Sequence, residues 1–405
     1  MKIKRLLPFI LFIVILLVCV YAAGDRKGID RRRIDNSASY DEATEELRGV
    51  WVSFLSLDTE GEDDPQKAFK QKIDTVIEDM KKANLNTMIV QVRPFSDALY
   101  PSEYYPWSHI LTGTQGQNPH FDPLLYICDQ AHQNHLKVHA WVNPYRVKTE
   151  HSPETLSDRN PYMKDKSIGV EYHQEIYLKP SSEKARELIT DGVKEIVRNY
   201  DVDGIQFDDY FYPTEDESFD KNEYGEYLKK TASPLTLSKW RKENVNLLIR
   251  KVYQTVHQEK ENVVFGISPQ GNLANNETLY ADVQKWCEEE GYIDYICPQI
   301  YFSLDNPKLS FEDALTDWMR LDIHKRLTMY VGLACYKAGS EADEGTWLDN
   351  DDILQTEIKI CRQNHLGGFM LYSYESFHSD ENAAEMKNVM QYLTEETIQS
   401  NSPKQ

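Results

Sequence analysis

The sequence contains no Cys-X-X-Cys pair, no Gly-X-Gly-X-X-Gly turn and, after residue 20, no second long apolar run. Each absence excludes something. Without close cysteine pairs, neither a clustered zinc site nor a redox dithiol is indicated. The cysteines beyond Cys19 (Cys128, Cys287, Cys297, Cys335 and Cys361) are odd in number and widely spaced, so they read as buried thiols. Lack of the glycine fingerprint removes the main support for a nucleotide-binding doubly wound sheet. No later segment approaches the ~20 apolar residues that a membrane-spanning helix needs. Basic patches are missing too. The first 36 residues hold eight Lys/Arg against three Asp/Glu, and the remainder holds 37 against 63, a net of −26. So acidic a body repels phosphates, and no nucleic-acid partner is expected.

The N-terminus reads as an export signal over residues 1–24. Lys2, Lys4 and Arg5 precede an apolar run from Leu6 to Val20, and Ala22, Ala23 and Gly24 follow. Arg26, Lys27 and Arg31 to Arg33 come directly after and oppose clean translocation. An uncleaved anchor, tethering the chain through residues 6–23, is therefore the alternative. Cys19 follows Val18, bulkier than a lipid-attachment motif prefers, and belongs to the apolar run. Residues 25–44 read as a polar linker and 396–405 as a flexible tail. The expected location is outside the cytoplasm: periplasm, cell envelope or medium.

What remains can bury a large core: 40% of residues are hydrophobic and 11% aromatic, with 25 Tyr and 7 Trp. From Gly49, short β-rich runs (Gly49–Phe54, Thr87–Arg93, Lys137–Asn143, Gly204–Asp208, Val263–Ile267, Tyr292–Ile300, Thr328–Ala334, Gly368–Tyr372) alternate with eight helix-periodic stretches. Eight strand–helix units predict an α/β fold, a single (β/α)8 TIM barrel over residues 45–395 with extended βα loops. Side-chain parity supports it. Val138, Ala140 and Val142 oppose His139, Trp141 and Asn143; Ile205 and Phe207 oppose Gln206 and Asp208; Gln91 and Arg93 share the polar parity of their strand. One face is apolar, and the other turns polar at the C-terminal strand ends, where barrel enzymes place their chemistry.

Cleavage of a glycosidic bond uses a proton donor and a second group that attacks or stabilises the cationic centre. Carboxylates at strand ends are few. The fourth run ends in Asp208-Asp209, the eighth reaches Glu375, and Asp97 follows the second. Asp208, Asp209 and Glu375 are the catalytic candidates. Adjacent aspartates also serve as turn devices, and Glu375 also fits a surface loop. Around them Arg93, Asp97, His139, Trp141, Asn143, Tyr145, Arg146, Tyr210, Gln270, Asn272, Gln299, Tyr301 and Tyr374 form the candidate substrate-binding set. Trp141 would stack on a sugar, Asn143 would read a hydroxyl or acetamido group, and Arg93 would clamp a substrate carboxylate or hold Asp208 ionised. The bland alternative for the run His139–Arg146 is a packed polar network. His132 and His135 lie on a helix and His139 in a strand, so no shared metal sphere, and no cofactor, is expected. The acidic segment Thr214–Glu226 would roof the cleft.

Several stretches together resemble glycosyl hydrolase-like family ten, also known as domain of unknown function 187. They are Arg48-Gly-Val-Trp51, IVQVRPFSDALYPS from Ile89, FDPLLYICDQAHQNHLKVHAWVNPYR ending at Arg146, DGIQFDDYFYP, SPQGN from Ser268 and PQIYF from Pro298. The likeness runs from Leu47 to Leu393. It implies a glycosidase-related barrel and, as in some bacterial members, cleavage of peptidoglycan glycan strands that lack stem peptides. The Asp-Asp pair is also similar to that of acetamido-assisted hexosaminidases, where one carboxylate orients the substrate's N-acetyl group and the other donates the proton. An N-acetylhexosamine-containing glycan is the expected partner. The rival readings are a non-catalytic glycan-binding barrel and a metal-dependent amidase.

Overall fold

The computed structural model describes residues 45–348 and 350–400, with side chains to residue 395. The expected signal and linker lie outside the described residues. The last helix carries the backbone to Ser400, into the stretch expected to be a flexible tail.

Eight parallel barrel strands follow one another: β1 (Leu47–Val52), β2 (Thr87–Arg93), β3 (Lys137–Val142), β4 (Gly204–Phe207), β5 (Val264–Ile267), β6 (Tyr295–Ile296), β7 (Thr328–Met329 and Val331–Ala334) and β8 (Gly368–Tyr372). The ring closes through β7, whose first half pairs with β6 and whose second half pairs with β8, while β1 bonds both β8 and β2. This is a (β/α)8 barrel. The sixth strand is far shorter than the run Tyr292–Ile300, because Pro298 has no N–H to offer a ladder.

Helices α1 (Pro65–Lys82), α2 (Pro123–Gln133), α3 (Glu183–Asn199), α4 (Leu237–Glu259), α5 (Val283–Glu288), α6 (Phe311–Met319), α7 (Ile353–Gln363) and α8 (Ala383–Ser400) connect or follow the strands. Their starts are written locally. Asp64 and Asp122 each accept a backbone N–H of the first turn, with Pro at the first helical position, and Ser182, Thr236 and Ser310 cap α3, α4 and α6 in the same way.

The predicted parity places the apolar row against the helices, where Met88, Val90, Val138, Ala140, Ile205, Phe207 and Ile296 join one large core. Inside the barrel lies a smaller cluster of Leu47, Trp51, Ile89, Trp141, Tyr295, Cys297 and Met370. Two glycines make room for it: a side chain on Gly204 would strike the His139 ring, and one on Gly266 would strike Tyr295. Higher up, Trp51 Nε1 donates to Gln206 Oε1 at 2.5 Å. The five described cysteines are buried and unpaired. Among the described residues no helix is long and apolar enough to cross a membrane.

Long loops sit at the C-terminal strand ends. The β3–α3 connection carries a three-stranded antiparallel sheet of Arg146–Lys148, Gly169–Tyr172 and Glu175–Leu178. The acidic segment after β4 is tied to this sheet and to α4: Tyr172 Oη donates to Asp216, and Lys179 pairs with Glu223. Its anchor is Arg241 of α4, which is 0% exposed. Arg241 reaches Asp220 at 2.6 Å, the carbonyls of Glu215 and Asp216, and Tyr280 Oη. Removing one partner of such a pair strands a buried charge and costs about 3–5 kcal/mol, whereas replacing both with apolar groups restores much of it. Asp220→Ala should therefore lower the urea midpoint sharply, and Arg241→Met with Asp220→Leu should recover most of the loss. A single-variant cost below about 1 kcal/mol would mean that the pair does not anchor this loop.

Candidate active site

Asp208 continues the inward parity of Gly204 and Gln206, and Asp209 follows where the chain turns, with the Phe211 N–H returning to the Asp209 carbonyl at 2.9 Å. A surface turn would leave both carboxyls in water. Instead each residue is 5% exposed, and each carboxyl accepts two side-chain N–H groups. Trp141 Nε1 (3.0 Å) and Asn143 Nδ2 (2.9 Å), at and just past the end of β3, both donate to Asp208 Oδ2. Gln299 Nε2 donates to Asp209 Oδ1 at 3.0 Å, and Gln270 Nε2 donates to Asp209 Oδ2.

The two acids differ in what is left free. Both oxygens of Asp209 hold an amide donor. On Asp208 both side-chain donors share Oδ2, and Oδ1 has only a long 3.4 Å approach from the Tyr210 N–H. Burial, and then the charge of Asp209, push the Asp208 pKa up to about 6 against Arg146, Trp141 and Asn143. Burial raises Asp209 as well, and the Gln270 and Gln299 amides pull part of that back. The pair is thus built so that one proton can stay on Asp208 Oδ1 while Asp209 is an anion.

Arg146 stands beside the pair. Its guanidinium lies over the Phe95 ring at 4.7 Å and the Tyr210 ring at 5.5 Å, and its Nε donates to the Pro94 carbonyl at 3.0 Å. Tyr210 is 55% exposed. Tyr301 stacks on Tyr372 with centroids 5.5 Å apart, and Tyr336 meets both edge-on. Tyr336 and Tyr372 belong to this wall but not to the predicted set. Parity with Met370 could have found Tyr372, whereas Tyr336 lies beyond the end of β7, where alternation no longer informs.

Other candidates go elsewhere. Arg93 does not share the inward parity of Gln91, because the β2–β3 register slips between them: Gln91 faces Trp141, but Arg93 faces outward-pointing Val142. It is buried over the Tyr105 ring at 4.5 Å, against Gly192 of α3. His139 lies four residues below Asn143, about 13 Å down the strand. There it bonds the Tyr295 hydroxyl, and burial lowers its pKa to about 4. Tyr145 is fully buried. Asn272 caps the short turn Leu273–Glu277, and Tyr374 Oη donates to Asp79. His132, one of the histidines weighed for metal, is spent on Asp203 at 2.9 Å.

Glu375 lies beyond β8 and accepts from the hydroxyls of Ser53 and Ser56. Burial favours its neutral form, but hydroxyl donors from Ser373, Ser53 and Ser56 outweigh it, so its pKa is lowered and it stays ionised. Asp97 accepts from Gln115 and faces His109 Nδ1 at 3.2 Å, while His109 Nε2 meets Ser152 Oγ at 2.8 Å. That order matches a serine-hydrolase relay. The backbone donors a nucleophile borrows are missing, however: the Ser152 N–H goes to Thr149 Oγ1, and Pro153 has none. It reads as a loop brace.

Comparison with known proteins supports the barrel and identifies its family. The family described as Glycosyl hydrolase-like 10 matches residues 46–349. Glycosyl hydrolase YngK of Bacillus subtilis is 35% identical over 359 residues, covering 83% of this chain and 69% of that protein. Glycosyl hydrolase DigH of Escherichia coli is 31% identical, covering 80% and 81%. Among solved structures, the PgaB (BpsB) glycoside hydrolase domain from Bordetella bronchiseptica superposes with a TM-score of 0.54 at 11% identity, over 84% of this chain and 98% of that one. An alpha-L-fucosidase from Paenibacillus thiaminolyticus gives 0.55 at 13% identity, over 88% and 50%. At such identities the structural likeness shows the fold alone. The sequence matches carry more, and by them the chain belongs to the glycosyl hydrolase-like 10 family and is an enzyme of the glycosidase class.

Proposed function

We propose that the protein, once exported, hydrolyses an N-acetylhexosamine-containing glycan, the peptide-free glycan strands of peptidoglycan, with Asp208 as proton donor and Asp209 as the polarising anion. The observation that carries this reading is the unequal donor pattern on two buried, adjacent carboxyls. A glycosidic oxygen leaves readily only if it receives a proton as its bond to the anomeric carbon breaks. Asp208 Oδ1 is the oxygen left able to hold that proton.

The positive charge that develops on the sugar needs a partner. In the acetamido-assisted route the substrate's own carbonyl oxygen bonds to the anomeric carbon, and its N–H leans on a carboxylate. Asp209, held as an anion by two glutamine amides, fits that role, with the Tyr301 ring system beside it. Water then adds to the anomeric carbon, gives its proton to Asp208 and releases the acetamido oxygen. The variant with Asp208 as nucleophile and Glu375 as acid/base is disfavoured, because the serine hydroxyls hold Glu375 ionised.

Asp208→Asn keeps the volume and removes the proton. Reducing-end release from peptide-free strands should fall by about 10²–10⁴-fold. Glycan affinity with no turnover by wild type, unaffected by the change, would establish a binding barrel instead.

The same variant should be more stable than wild type at pH 7. The folded-state pKa of Asp208 lies above its ordinary value of 3.8, so folding favours the neutral form. Stability falls as pH rises from about 4 to about 6, and the ionised group then carries a penalty of about 3 kcal/mol. Asparagine has no such penalty. Thermal melts at pH 4.5 and 7.5 should show a clearly larger advantage for the variant at the higher pH; an equal advantage at both would contradict a buried, reluctantly ionised Asp208.

The pH profile of kcat/KM should be bell-shaped. Loss of the Asp208 proton sets the alkaline limb near pH 6, with rate falling tenfold per pH unit above it. Protonation of Asp209 sets the acid limb. A profile flat from pH 5 to 8 would remove Asp208 as the proton donor.

A further inference from the structure

We infer that Arg146 is a reader of negative charge on the substrate: its guanidinium selects a glycan whose sugar carries a free carboxylate next to the bond being cleaved. The inference rests on the glycosidase reading above and narrows its substrate class. Its basis is a contrast between two arginines of the same chain.

Arg241 is what a structural arginine looks like here. All three guanidinium nitrogens are engaged, by Asp220, two backbone carbonyls and a tyrosine hydroxyl, and no part of it meets solvent. Side-chain hydrogen bonding of Arg146 is through Nε alone, on the Pro94 carbonyl, and its guanidinium lies over the Phe95 ring at 4.7 Å and the Tyr210 ring at 5.5 Å. Among the described residues no hydrogen bond or ion pair takes its two terminal nitrogens, and the side chain is only half-buried. Its backbone is pinned too, by Asn143 Oδ1 on the N–H and Ser96 Oγ on the carbonyl. A side chain so fixed, with its outer pair of donors unspent, is a pre-set fork for a planar anion.

Holding the aspartates ionised does not account for this arrangement. A direct ion pair would serve that end better, yet Arg146 acts on Asp208 and Asp209 only through space. A stronger contact would also defeat the raised pKa that keeps a proton on Asp208. The ligand is more specifically a carboxylate than a phosphate monoester. The mouth already holds one carboxylate charge on Asp209 within a strongly acidic body, and a doubly charged group would meet more repulsion there than a singly charged one. The two parallel oxygens of a carboxylate also match the fork.

The test uses two versions of one substrate: peptide-free glycan strands with their lactyl carboxyls free, and the same strands with those carboxyls reduced to alcohols. Wild type should favour the carboxylate form in kcat/KM by about ten- to a hundredfold, the size of a charge-assisted pair. In Arg146→Gln that ratio should collapse towards one, and Arg146→Lys, which keeps the charge without the fork, should fall between. Because the readout is a ratio within each variant, a general change in rate or in the Asp208 pKa cancels. A wild-type ratio near one, or an unchanged ratio in Arg146→Gln, overturns the inference and leaves the glycosidase reading standing. If neither strand is cleaved, it is the substrate reading that fails. The carboxylate preference is then read from equilibrium binding of both strands to Asp208→Asn, where equal affinity overturns it. Should Arg146→Gln not fold, the wild-type ratio together with Arg146→Lys decides.

Discussion

Burying two adjacent carboxyls is the constraint around which the top of this barrel is organised. A carboxylate removed from water costs several kcal/mol unless donors replace the solvent. Here the replacements come from three strands: an indole and an amide from the region of β3 for Asp208, and amides following β5 and β6 for Asp209. Those four side chains project inward only if β3, β4, β5 and β6 keep a common register, and closure of the ring through the split strand β7 holds it. The chemistry and the fold are therefore one problem. Slippage of a single residue in β4 would turn Asp208 towards the helices and leave four donors pointing at nothing.

Beneath this layer the barrel is buried and largely aromatic. His139 and Tyr295 fill space that Gly204 and Gly266 leave open, and Trp51 props Gln206 just below the acids. This packing gives the mouth a low-polarity floor, so the mutual repulsion of the two aspartates is weakly screened and the Asp208 pKa rises.

Alternation carried most of what the sequence could tell. It separated Gln206 and Asp208 from Ile205 and Phe207, and Trp141 and Asn143 from their apolar neighbours, and all four inward tips are where the pattern put them. It misplaced Arg93, because the two-against-one slip in β2 adds a residue without changing the composition of the run. It also counted His139 and Asn143 as equals, since parity says which face a residue takes and nothing about its depth. Tyr374 and Glu375 lay beyond the last strand, where short-range turns replace alternation. Tyr336 was passed over for the same reason, although it closes the aromatic wall against Tyr301 and Tyr372. Strand order and face are local properties of sequence, whereas slips and loop returns depend on neighbours far along the chain.

The acids also explain why Arg146 is held at arm's length. Arg146 is close enough to bias both aspartates, but its anchor on Pro94 and its aromatic neighbours keep it from closing an ion pair with either. Contact with Asp208 would stabilise the anion and pull its pKa back towards the ordinary range, and the proton that the proposed mechanism needs at the leaving oxygen would be lost at a lower pH. Contact with Asp209 would cancel the charge that, in the proposed mechanism, faces the sugar. A cation near two acids that must stay different from each other is useful only at a fixed distance, and that distance leaves its outer nitrogens open to whatever the substrate brings.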